Sequence, residues 1–244
     1  MYLKDLGKNW DRLGKEDPFW AIATDPKKRN GGWDVEEFFK TGVKEIADIM
    51  QYIDKIHINI KKRKVLDFGC GAGRLTQALA QYFDEVVGVD ISPSMISLAN
   101  EYNVHKNNCE YRLNTASDLK LFNDNYFDFI YSNIVLQHIP PKYSEKYIKE
   151  FLRILVPGGL LIFQLPSKRL PGKSIKALLR RIVPIPNSWV YMCKRKIFGT
   201  VIEMHCIEQK DILNLLKNNN AVVIDVVNYN AAEFLSCRYC VAKK

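Results

Sequence analysis

With 244 residues, 47% of them hydrophobic, the chain can bury the core of one large domain, with or without additions. No apolar run approaches the ~20 residues that cross a bilayer, which excludes a membrane-spanning helix. The net charge of +9 comes from one stretch: Ser167 to Ile202 holds no acid but carries Lys168, Arg169, Lys173, Lys176, Arg180, Arg181, Lys194, Arg195 and Lys196, so the rest is near neutral and a nucleic-acid surface over the whole protein is disfavoured.

The first residues, Met1 to Leu6, are polar and include an early acid. They lack the basic start and apolar run of a secretory signal, and a cytoplasmic location is expected. Residues 1–60 are expected to form a helical cap or lid. They contain Trp10, Trp20 and Trp33, an Asp17-Pro18 break and the turn-like Arg29-Asn30-Gly31-Gly32. From Asp34 to Ile60, apolar residues recur at intervals of three and four, the period of an amphipathic helix. Asp34 is its N-cap, and Glu36 and Glu37 favour its first turn.

Residues 61–244 are expected to form the main domain, with a basic insertion at about 167–202. Strands at Lys64–Phe68, Glu85–Val89, Glu110–Leu113, Phe127–Ser132 and Leu160–Leu165 alternate with helices at Arg74–Phe83, Pro93–Tyr102 and about Tyr143–Leu155. Ser92 caps the second of these helices, and Pro157-Gly158-Gly159 stops the third. This alternation predicts an α/β, Rossmann-like, mostly parallel seven-stranded sheet with helices on both faces. After the insertion, a helix at Gln209–Asn219 precedes strands at Ala221–Asn228 and Phe234–Ala242, which pair most easily as an antiparallel hairpin.

Six cysteines are scattered along the chain, and Cys237 and Cys240 have a C-x-x-C spacing. On a strand, that offset of three puts the thiols on opposite faces, so they read as reduced packing residues and not a metal or redox pair. No acidic cluster suited to a catalytic Mg²⁺ is visible.

The chemistry concentrates at Asp67-Phe68-Gly69-Cys70-Gly71-Ala72-Gly73, where an apolar strand enters a glycine turn and then a helix. Asp90 ends the next strand 21 residues after Gly69, close to the ~20 at which a ribose-binding acid is expected. Asp67 would repel a pyrophosphate, which opposes an NAD-dependent oxidoreductase. It would attract the ammonium and sulfonium of S-adenosylmethionine, whose ribose suits Asp90.

Five blocks in this order carry a resemblance: Val65 to Gly73, Val89 to Met95, Phe127 to Asn133, Val135 to Ile139, and Leu155 to Gly159. On them the chain resembles class I S-adenosylmethionine-dependent methyltransferases, in particular the type-11 small-molecule group. The resemblance implies that Asp67, Gly69, Cys70 and Gly71 line the methionine half of the cofactor. Asp90 then takes both ribose hydroxyls, and Ile91 and Met95 pack on adenine. Thr115, Ala116 and Ser117 meet the adenine edge, with Thr115 where the group usually has an acid. Asn133 stands by the methionine amine and the methyl group.

The implied activity is methyl transfer to a small-molecule acceptor, read here as a hydroxyl of an anionic or phosphorylated, sugar- or nucleotide-linked metabolite, leaving S-adenosylhomocysteine. A hydroxyl needs a base within reach, and His138 and His205 are the two histidines placed to serve. Both also read as ordinary packing or surface residues. Trp20 and Trp33 are candidate lid residues, and Arg29 is a candidate partner for an anionic acceptor. Arg180 and Arg181 lie on a cationic amphipathic segment suited to steer an anion or to touch an anionic membrane. RNA methylation and a non-catalytic cofactor-binding module are the alternatives. The first lacks aromatic residues interleaved with the charges, and Ser132-Asn133-Ile134-Val135 lacks the Pro-Pro-aromatic signature of base methylation.

Overall fold

A computed structural model describes residues 2–171 and 202–244. The apolar segments form one seven-stranded sheet: β1 (Lys64–Phe68), β2 (Glu85–Asp90), β3 (Cys109–Leu113), β4 (Phe127–Ser132), β5 (Leu155–Arg169), β6 (Ala221–Ala231) and β7 (Phe234–Lys243). Their spatial order is β3-β2-β1-β4-β5-β7-β6. The first five are parallel, and β7 runs antiparallel to both β5 and β6. β2 and β4 lie on opposite sides of β1, so the chain order switches direction there. Open α/β sheets bind ligands outside the carboxyl ends of the strands at such a point.

The described α-helices are α1 (Leu3–Glu16), α2 (Pro18–Ile22), α3 (Val35–Lys55), α4 (Arg74–Leu79), α5 (Pro93–Glu101), α6 (Pro141–Ile154) and α7 (Gln209–Asn218). Alternate strand residues point to opposite faces and make two cores. On one face Leu66, Val87, Ile130, Leu161 and Phe163 meet Tyr147, Phe151, Ile212 and Leu216 of α6 and α7. On the other, Val65, Val86, Phe129 and Ile162 meet Ile46, Ile49 and Ile53 of α3 and Leu75 and Leu79 of α4. Cys237 belongs to the first core and Cys240 to the second, so the two thiols are separated by the sheet.

The Asp34 carboxylate accepts the Glu37 N–H at 2.9 Å and caps α3. That helix ends at Lys55, short of the expected Ile60, because His57 takes a left-handed conformation at φ 57°. Pro at the first helical position starts α6 at Pro141, two residues early. Pro157-Gly158-Gly159 does not stop that helix: α6 has already ended at Ile154, and the tripeptide forms an irregularity inside β5.

Gly42 sets the approach of α3 to α4. A Cβ there would lie 2.2 Å from the Arg74 carbonyl oxygen, so the two helices pack backbone to backbone. Gly42→Ala is expected to cost about 1–3 kcal/mol and to lower the thermal midpoint by several degrees, measured by circular dichroism.

Candidate functional site

At the carboxyl ends of β1, β2 and β4, a pocket of about 950 Å³, part of it open to solvent, is lined by Phe68 to Gly71, Arg74, Asp90, Ile91, Met95, Asn114, Asn133 to Val135 and His138. Its outer wall is the N-terminal cap: Leu3, Leu6 and Trp10 of α1, and Ala21 and Ile22 of α2. α1 is fastened over α5, where Asp11 accepts the Ser94 N–H through its carboxylate and the Ser94 hydroxyl through its carbonyl, both at 2.9 Å.

The glycine loop turns because Gly69 sits at φ 81°, where a Cβ would fall 2.3 Å from Val135. Its backbone is anchored by Asp90. One carboxylate oxygen accepts the Gly71 N–H and the other the Ser92 N–H, each at 2.9 Å. Burial pushes the Asp90 carboxyl up, and the backbone N–H donors oppose it. Each oxygen keeps a lone-pair direction for a ligand hydroxyl.

Ile91 and Met95 line the pocket beside Asp90, and Met95 is 1% exposed. Asp67 is not among the lining residues. Its buried carboxylate accepts the Thr76 hydroxyl at 2.6 Å behind the loop, and burial pushes it up to about 7. Thr115, Ala116 and Ser117 also lie outside the pocket. Asn114 takes their place, its own amide tied to the Asp118 carbonyl and the Ala116 N–H.

A polar node joins α3 to the pocket. Glu45 of α3 accepts from Arg74 at 2.8 Å, Tyr131 at 3.0 Å and Asn133 at 2.7 Å. Arg74 also donates to Thr41, yet its Nε is buried with no hydrogen-bond partner. Glu45 carries no sequence signal, since it is one acid among several on an amphipathic helix.

His138 is fixed at both nitrogens. Nδ1 donates to the Glu203 carbonyl at 2.7 Å, and Nε2 lies 3.0 Å from the Gln137 side-chain amide. Trp10 packs edge-on against the ring. Burial pulls the imidazole down to about 4. His205 lies outside the pocket lining. Its backbone N–H donates to the Gln137 carbonyl at 2.7 Å, and its Nε2 stands 3.2 Å from Glu203 Oε2 without hydrogen-bond alignment, a contact that becomes an ion pair only when the imidazole is protonated. Burial lowers its pKa, opposed by Glu203.

The expected lid residues are displaced. The Trp20 and Trp33 indoles donate to the Asp25 and Ala23 carbonyls, and Arg29 covers the Trp20 ring, so none of the three lines the pocket. The tryptophan in the wall is Trp10, legible in hindsight from the spacing of Leu3, Leu6, Trp10 and Leu13. Arg180, Arg181 and most of the basic insertion lie outside the described residues.

Residues 66–163 match the family model described as a methyltransferase domain. Among curated relatives, the ubiquinone biosynthesis O-methyltransferase of Pseudomonas fluorescens is 33% identical over 133 residues, 54% of this chain and 56% of the relative. That of Coxiella burnetii is 33% identical over 137 residues, 55% of this chain and 54% of the relative. The chain thus spans about half the length of the curated relatives it matches. Among solved structures, magnesium protoporphyrin IX methyltransferase from Synechocystis with bound S-adenosylhomocysteine superposes with TM-score 0.67 at 17% identity, covering 99% of both chains. A Pyrococcus horikoshii protein does so with TM-score 0.63 at 22% identity, covering 92% of this chain and 98% of its own. These two likenesses establish the fold.

The state of His138 is open to test. Its depressed pKa means that the unfolded chain, near 6.5, binds a proton before the folded one. Its contribution to stability is therefore full above pH 6.5 and is lost as pH falls toward about 4. Nitrogen NMR should show a neutral Nδ1–H tautomer throughout that window, and His138→Gln should remove this part of the pH dependence of the urea midpoint.

Proposed function

We propose, from the match of residues 66–163 to the methyltransferase domain model, that the chain transfers the methyl group of S-adenosylmethionine to a hydroxyl of a small-molecule acceptor that carries an anionic or phosphorylated group. The observation that carries this reading is the Asp90 carboxylate, clamped at both oxygens and turned to the pocket beside the glycine loop. The O-methyltransferase names of the curated relatives support oxygen as the acceptor atom.

The residues present suit the cofactor. Asp90 would take the ribose hydroxyls, with Ile91 and Met95 against the adenine and Asn114 at its edge. The unpartnered Nε of Arg74 suits the carboxylate of an amino-acid tail. Asn133, oriented by Glu45, would stand near the tail's ammonium, and the loop of Gly69, Cys70 and Gly71 would follow the chain between. Asp67 would act through the loop and not by contact. Bound S-adenosylmethionine supplies an already activated methyl group, so the protein has to position the acceptor, exclude water and manage one proton.

Leu3, Leu6, Trp10 and Ile22 exclude water from the outer wall. Of the two histidines, His138 lines the pocket but has both nitrogens engaged, so the proton would fall to His205, which the acceptor must reach beyond the pocket lining. Glu203 beside His205 would steady the imidazolium formed when it takes the acceptor proton. His138 then positions the 203–205 segment through the Glu203 carbonyl.

Titration calorimetry with S-adenosylhomocysteine tests the cofactor site. Asp90→Ala should weaken binding by about 1.5–3 kcal/mol, roughly 10- to 150-fold. No heat with the wild-type protein would reject the reading. Transfer of a labelled methyl group across a panel of phenolic and sugar hydroxyls tests the activity, and binding without transfer would favour a non-catalytic module. At saturating cofactor, His205→Ala should lower kcat by roughly 10²–10⁴-fold, and an undiminished kcat excludes it as the base.

A further inference from the structure

On the sheet face beneath α3, a lateral row of residues leads away from the glycine loop. Gln164 of β5 pairs with Arg238 of β7, and Arg238 with Val227 of β6. Extending the Ser132–Phe163 pair by one residue sets Asn133 beside Gln164. Paired residues share a face and neighbouring strands lie about 4.8 Å apart, so Arg238 stands roughly 10 Å along the row from Asn133. α3 spans the same distance: Glu45 bonds Asn133 at one end, and the Tyr52 ring meets the Arg238 guanidinium, 4.3 Å from its centroid, at the other.

Arg238 is half-buried, and its Nε is buried without a hydrogen-bond partner. Among the described residues, no carboxylate lies within ion-pair distance of it. The acids facing it are already engaged, Asp225 by the Tyr52 hydroxyl at 2.6 Å and Glu45 by Arg74, Tyr131 and Asn133. The contrast with the other well-covered guanidiniums is sharp: Arg74 is answered by Glu45, and Arg153 by Glu150 and Asp124. A guanidinium partly removed from water and left unanswered is costly, and a planar, bidentate anion is the partner its geometry fits.

We propose that Arg238 is the anion-recognition residue of the acceptor subsite, binding a carboxylate or phosphate on a molecule whose reacting hydroxyl lies near Asn133. The acceptor's anion then lies two strands away from its reacting hydroxyl, on the same face of the sheet. This rests on the methyltransferase reading but places the acceptor's charge on a residue that no motif marks.

The test uses the full chain saturated with S-adenosylhomocysteine and three probes: benzoate, phenyl phosphate and the uncharged benzamide. Titrations are followed by calorimetry and by the Arg238 Nε–H resonance, assigned through its loss in Arg238→Lys. The expected result is saturable binding of at least one anion with a shift of that resonance, and at least tenfold weaker binding of benzamide. The anion preferred tells carboxylate from phosphate. Arg238→Met should weaken the anion at least tenfold and Arg238→Lys should recover part of it, with S-adenosylhomocysteine affinity unchanged in both. The proposal is overturned if no anion binds, if benzamide binds as tightly, if the resonance does not move, or if Arg238→Met keeps the anion. Absence of S-adenosylhomocysteine binding in the wild-type protein would instead overturn the cofactor reading, while the anion titrations, repeated without it, still decide on Arg238.

Discussion

Asp90 ends β2 with one oxygen on the Gly71 N–H and the other on the Ser92 N–H, both at 2.9 Å. This shared carboxylate ties the loop after β1 to the start of α5. It fixes the spacing between the two crossovers that border the switch point. The loop is also tied to β2 by the Gly69 and Cys70 N–H groups, which share the Val89 carbonyl at 2.7 and 3.1 Å. Burial of the acid raises its cost of ionisation, and the backbone donors offset part of that cost.

α3 is the second constraint. Its apolar side, Ile46, Ile49 and Ile53, packs into one core. Its polar side reaches the functional edge of the sheet through Glu45, and the far strands through the bond from Tyr52 to Asp225. One helix thus aligns Arg74, Tyr131 and Asn133 around a single carboxylate. Removing Glu45 would leave Arg74 as an uncompensated, nearly buried charge, a larger penalty than the loss of any one bond.

The strands, the parallel order and the antiparallel end were legible because apolar runs, glycine turns and helical periods are local signals. Asp90 and the loop glycines were legible for the same reason, since their spacing follows from the βα geometry. Other residues were not. Asp67 reads as a ligand-facing acid, yet its side chain points behind the loop to Thr76, a direction that spacing alone does not reveal. Trp20 and Trp33 look like lid residues, but their indoles serve turns within the cap. Glu45, Asn114 and Arg238 matter through long-range register and packing, which leave no trace in their immediate sequence.

The wall formed by α1 and α2 has a consequence for how this domain should be cut. Residues 66–163 carry the floor of the pocket, but Leu3, Leu6, Trp10, Ala21 and Ile22 lie upstream of that segment. Excised from its first two helices, the segment would present an open trough. Solvent would reach Met95, now 1% exposed, and the helix that begins at Pro93 would forfeit the Asp11 contacts at its leading end.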